Sequence, residues 1–165
     1  MNQKMKILCV CKGNTCRSPM LEALLKNAVA VAKSDRFHDG LRAEGARLDG
    51  VSVESAGTYI NVSSDCLGSP AAPDAITCMH GLGADLGGHK SQPVSALEIN
   101  DYDFIICMGD EEVAHVNGLH PRGAVLLTNA GFGGVPNPWK QGLAAYQFCA
   151  KILEQVAARF VETYL

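Results

Sequence analysis

The chain has 165 residues, 47% hydrophobic and 19% charged, with a formal net charge of −3. Such a length suits one domain with a real core, and the acidic balance argues against nucleic acid as the main partner. No stretch is long and apolar enough to span a bilayer, which argues against a membrane partner, and Met1 to Lys6 carry no signal-peptide pattern before the first apolar run. Seven cysteines, at 9, 11, 16, 66, 78, 107 and 149, form neither a disulfide framework nor a paired CxxC zinc pattern. A reducing, cytoplasmic setting is expected. Cys9, Cys107 and Cys149 lie in apolar runs and read as core.

Residues 6–11 read as a short buried strand around Ile7-Leu8-Cys9-Val10. A helix is predicted from Ser18 to Lys33, with Ser18 as N-cap, Pro19 at the first helical position and Glu22 favoured by the helix dipole. Met20, Leu21, Leu24, Leu25, Ala28 and Val31 form its apolar stripe. Residues 34–50 are polar, with Gly40, Gly45 and Gly50, and read as a surface connection. Val51 to Ala56 alternates as a second strand, and Gly57 opens a loop that runs through Ser69. A short helix is predicted from Pro70 to about Leu82, a loop over Gly87–Gln92, and one helical turn over Val94–Leu97.

Tyr102–Met108 is the third predicted strand, Asp110–Asn117 a helix, and Val125–Thr128 the fourth strand. Asn129–Gly142 is rich in Gly and Pro and cannot be regular. Apolar or small residues at 143, 146, 150, 153, 157, 160 and 164 predict a long closing helix. Strands alternating with helices predict an α/β fold over 1–165 as a single domain: a four-stranded parallel sheet flanked by helices on both faces. The ligand should sit beyond the C-terminal strand ends, in a phosphate-binding loop after the first strand.

That loop is Cys11-Lys12-Gly13-Asn14-Thr15-Cys16-Arg17-Ser18-Pro19, on a strand-to-helix turn. Such a turn aims backbone N–H groups and the positive end of the helix dipole at one point. Gly13 lets the backbone bend toward it, and Arg17 can fork onto two phosphate oxygens. The positive field at Cys11 favours its thiolate. A thiolate facing an oxyanion cradle can attack phosphorus and form a phosphocysteine.

Cys, five residues, Arg, then Ser is the loop shared by phosphocysteine-forming phosphatases. The fuller string from Val10 to Pro19, close to the N-terminus, resembles the low-molecular-weight protein tyrosine phosphatase family. The resemblance implies Cys11 as nucleophile, with Arg17 and the loop residues Lys12, Gly13, Asn14, Thr15 and Cys16 holding the phosphate. It implies that Ser18 donates to the thiolate as it departs, and that Asn14, Ser55 and His89 brace the loop. Cys16 matches a second cysteine that can form a reversible disulfide with the nucleophile, protecting it from over-oxidation. No metal or cofactor is implied. The expected partners are a phosphorylated protein substrate and phosphate or a similar oxyanion.

One position departs from the family. Its Asp-Pro-aromatic motif, whose acid protonates the leaving oxygen, corresponds to Asn137-Pro138-Trp139. An amide can hydrogen-bond a leaving group but cannot protonate it, and losing a general acid costs about a hundredfold to ten-thousandfold in rate. Three readings of Asn137 stay open: a slow or specialised enzyme, a phosphate-binding protein without turnover, and an engineered substitution. Asp110, at the end of the third strand, is a candidate to face the site. Trp139 is expected to wall the substrate slot, and Tyr59 to stack on a phosphotyrosine ring. The position of Thr15 is usually branched and apolar in tyrosine-specific members and threonine in the related protein arginine phosphatases, so phosphoarginine is an alternative substrate. A phosphoprotein-binding module is a second alternative. Thiol-linked arsenate reduction is less favoured, because Cys66 and Cys78 are twelve positions apart.

Overall fold

The computed structural model describes residues 4–41, 45, 47–59, 67–119, 125–128 and 134–165. The elements used below are β1 (Met5–Cys11), α1 (Arg17–His38), β2 (Val51–Gly57), α2 (Pro73–Gly81), β3 (Phe104–Cys107), α3 (Asp110–Leu119), β4 (Val125–Thr128) and α4 (Leu143–Tyr164). Single 3-10 turns cover Leu48–Gly50, Val94–Ala96 and Ile99–Asp101.

An unbroken apolar run needs cover on both faces, and β1 has it. The strands run parallel in the order β2-β1-β3-β4, so β1 is interior. Ile7 lies opposite Val53 on one side, and Leu8 opposite Ile105 on the other. Side chains of a strand alternate between faces. Ile7, Cys9 and Cys11 join a core with Leu21 and Leu25 of α1 and Leu153 of α4. Leu8 and Val10 join a second core with Ile105 and with Val116 of α3. Burial raises the thiol pKa of Cys107 and of Cys149 to about 12, so both pack as neutral side chains.

The long helices follow their apolar stripes, with corrections. In α1, Met20, Leu21, Leu24 and Leu25 are buried, but Val31 is 60% exposed and Val29 takes the inward position. The helix also runs past Lys33 to His38. Its last turns are polar, yet Arg36 donates to the carbonyl of Leu165 at the end of α4, and Arg36 and His38 suit the negative end of the dipole. Ser18 is not the cap: the helix starts at Arg17, Cys16 occupies the cap position without a side-chain cap bond, and the Ser18 hydroxyl meets the Cys11 sulfur instead.

Helix α2 begins at Pro73 rather than Pro70, leaving 69–72 without helix or strand beside the Cys11 loop. Strand β3 is shorter than predicted, and α3 runs two residues further, to Leu119. The loop expected over 57–69 starts one residue later, and 60–66 lie outside the described residues, Cys66 among them. The described part of the Gly/Pro-rich stretch, 134–142, carries no helix or strand. No helix among the described residues is long and apolar enough to cross a membrane.

Leu25→Ala is expected to lower stability by about 2–5 kcal/mol, and Val31→Ala by less than about 0.5 kcal/mol. Urea denaturation of both variants checks the inward face of α1.

Candidate active site

Strand β1 ends at Cys11 and α1 starts at Arg17, so residues 12–16 must turn the chain above the sheet edge. The left-handed residue of the turn is Asn14, with φ of 52°, rather than Gly13. Asn is among the few side chains that tolerate this conformation. A Cβ on Gly13 would meet only Thr15 Oγ1, at 3.8 Å, so crowding does not explain the glycine.

The loop curls around the sulfur of residue 11. The Asn14 amide donates to Cys11 Sγ at 3.2 Å, and Ser18 Oγ lies 3.0 Å from the same sulfur. Ser18 sits in the first turn of α1, which holds its hydroxyl over Cys11. Among the described residues, the amides of Gly13, Thr15 and Cys16 donate to no protein acceptor, and all three residues line a cavity of about 370 Å³. Backbone donors left open beside a cavity are donors for a ligand.

The fully buried Asn14 side chain ties this loop to its surroundings. Its Nδ2 donates to Ser18 Oγ at 2.8 Å and to Ser55 Oγ at 3.0 Å, and its Oδ1 accepts from the Gln92 amide at 2.9 Å. His89 Nε2 lies 2.6 Å from the Asn14 carbonyl oxygen. Ser55 in turn donates to Glu22 Oε2 at 2.6 Å. Asn14, Ser55 and His89 are thus brought together. Glu22 and Gln92 complete the network; no motif or spacing in the sequence points to Gln92.

Arg17 is 7% exposed. Its Nη1 donates to the Val135 carbonyl at 2.9 Å, and its Nη2 lies 3.5 Å from Glu112 Oε1. Cys16 Sγ lies 3.2 Å from the Tyr146 hydroxyl, and burial raises its thiol pKa. Desolvation likewise raises the Tyr146 hydroxyl, with the bond to Cys16 adding to it.

Cys11, Lys12, Thr15, Arg17, Asn137 and Trp139 also line the cavity, with Ser69 to Pro73 as its far wall. That wall is fastened to the loop by the Ala72 amide, which donates to the Thr15 carbonyl at 2.8 Å. Asn137 Oδ1 accepts from the Trp139 amide at 3.2 Å, a tight turn that leaves the Asn137 NH2 as a donor. Asp110 does not reach the cavity; it is exposed at the start of α3. Tyr59 is absent from the lining too: its ring is 75% exposed and the Lys12 ammonium lies 5.0 Å from its centroid.

A family profile described as "Low molecular weight phosphotyrosine protein phosphatase" matches residues 6–164. The chain belongs to that family. A probable phosphatase of the family, EpsP of Ralstonia solanacearum, is 36% identical over 70% of this chain and 63% of its own length. Wzb of Salmonella typhimurium, a low molecular weight protein-tyrosine-phosphatase, is 30% identical over 95% of this chain and 92% of its own. Among solved structures, Vibrio vulnificus Wzb in complex with benzylphosphonate superposes with a TM-score of 0.77 at 25% identity, covering 97% of this chain and 99% of that one. The YwlE arginine phosphatase from Geobacillus stearothermophilus gives 0.74 at 26% identity, covering 96% and 91%. The match spans β1, the turn after it and the start of α1.

Asn14→Ala is expected to cost about 1–3 kcal/mol, since it strands buried partners, and the positive φ adds to the loss. Asn14→Gly keeps the backbone but not the bonds, so it should fall between Ala and the parent in thermal denaturation.

Proposed function

We propose that this chain hydrolyses phosphotyrosine in proteins through a phosphocysteine on Cys11. The observation that carries this is the sulfur of Cys11 under both the Asn14 amide and the Ser18 hydroxyl, at the floor of a cavity with open backbone donors. The reading takes 1–165 as one phosphatase domain, supported by the match over 6–164. Six free thiols among the described residues suit a reducing compartment such as the cytoplasm.

In this reading the loop amides and Arg17 hold the three equatorial oxygens, as positioning and charge stabilisation demand for phosphoryl transfer. Cys11 Sγ forms a bond to phosphorus while the bond to the tyrosyl oxygen breaks. Asn137 donates a hydrogen bond to that oxygen but no proton, so the phenolate must take its proton from water. Water then attacks phosphorus, the S–P bond breaks, and Ser18 hydrogen-bonds the returning thiolate. Cys16, in the same loop, is placed by this reading as the disulfide partner that shields Cys11 under oxidation.

The choice of tyrosine over arginine rests on the wall. Pro70, Ala71, Ala72, Pro73 and Trp139 present apolar surface for an aromatic ring, and among the described residues no carboxylate lines the cavity to meet a guanidinium. Thr15, which also lines it, favours the second reading, a phosphoarginine substrate. Asn137 favours a binder without turnover.

p-Nitrophenyl phosphate, whose leaving group needs little protonation, should be turned over by the parent and not by Cys11→Ser. With phosphotyrosyl peptide, Asn137→Asp should raise kcat by about a hundredfold to ten-thousandfold, the span of general acid catalysis. Release of phosphate from matched phosphotyrosyl and phosphoarginyl peptides decides the substrate. No nitrophenolate from the parent would leave the binding module.

A further inference from the structure

Glu112 is a buried acid that the reaction as set out does not use. It is 5% exposed, in the first turn of α3, and its Oε1 lies 3.5 Å from Arg17 Nη2. A carboxylate taken out of water costs several kcal/mol unless it is paired, and Arg17 is its ion-pair partner. At 3.5 Å the contact is longer than an ordinary N–H···O bond, so charge and packing hold it rather than one ideal hydrogen bond.

Space for that carboxylate comes from Gly109. A Cβ there would stand 3.1 Å from Glu112 Oε2, close enough to force the neighbour to give way. The backbone at Gly109 is not left-handed, so its missing side chain, not its conformation, is what the geometry uses. The result is a guanidinium gripped twice from outside the cavity, by Glu112 and by the Val135 carbonyl. An arginine has five N–H donors in a rigid plane. Two held from behind fix that plane and leave the others for an oxyanion.

We propose that Glu112 is the positioning residue for Arg17, reaching it through the space that Gly109 leaves open. It rests on the phosphatase reading in that the group being aimed is the guanidinium that holds the phosphoryl oxygens. Arg17 without this strut keeps its charge but loses its fixed plane, and misplacement by about 1 Å is enough to cost on the order of a hundredfold in rate.

The test uses the full chain and two readouts: the rise in melting temperature with added inorganic phosphate, which needs no turnover, and kcat and KM on p-nitrophenyl phosphate. Glu112→Gln keeps the shape and removes the charge; it should raise KM, lower kcat and weaken the phosphate-induced shift. Glu112→Ala should do so more strongly, with kcat/KM down by about a hundredfold. The double variant Gly109→Asp, Glu112→Ala returns a carboxylate from the neighbouring position, and should recover most of both. A role in stability alone would lower the melting temperature of the free protein and leave the phosphate shift and kcat unchanged. That result with Glu112→Gln, or a double variant no better than Glu112→Ala, overturns the proposal. If the parent binds phosphate but releases no nitrophenolate, the phosphatase reading falls. The phosphate shifts of the variants then still decide the role of Glu112.

Discussion

The structure depends on the complete satisfaction of one buried amide. Asn14 bends the chain in a left-handed conformation and spends every polar group it has: amide on Cys11, carbonyl on His89, side chain on Ser18, Ser55 and Gln92. Buried polar groups cost dearly when unpaired. The network therefore has one arrangement in which nothing is stranded, and that arrangement wraps the loop around the Cys11 sulfur. Around it, β1 is locked between two cores so that its last residue cannot shift.

Much of this was legible in the sequence, for identifiable reasons. The run Ile7–Val10 could only be a covered strand, and the string from Cys11 to Pro19 carries its chemistry in consecutive residues. What stayed hidden depends on contacts distant in sequence. Glu112 looks like one more acid in an acidic first turn, and only the Arg17 guanidinium beside it and the open side of Gly109 account for its burial. Gln92 is an ordinary loop glutamine until its amide meets Asn14. The reading of Val31 as inward failed because a helix stripe drifts, and the burial passes to Val29. Of the two roles that the sequence suggests for Ser18, cap and partner of the thiolate, the helix start at Arg17 removes the first and the sulfur 3.0 Å away fits the second. Asp110 drew attention by its position, but an acid that opens a helix serves the dipole and stays in water.

Asn137 is held in a turn by its own polar groups. Its side-chain oxygen is held by the Trp139 amide and its carbonyl oxygen by Gln141 Nε2, so the turn is built with an amide at that position. The loop also reaches back to Arg17 through Val135, only two residues earlier. In the proposed reaction, the binding and leaving-group ends of the slot thus share one short stretch of chain.

The bond from the Ala72 amide to the Thr15 carbonyl makes the far wall and the floor one piece. Swinging 69–72 away from the loop breaks that bond, at a net cost of about 0.5–1.5 kcal/mol. The width of the cavity is therefore set by one backbone contact, and a visitor that needs a wider mouth must make up that loss.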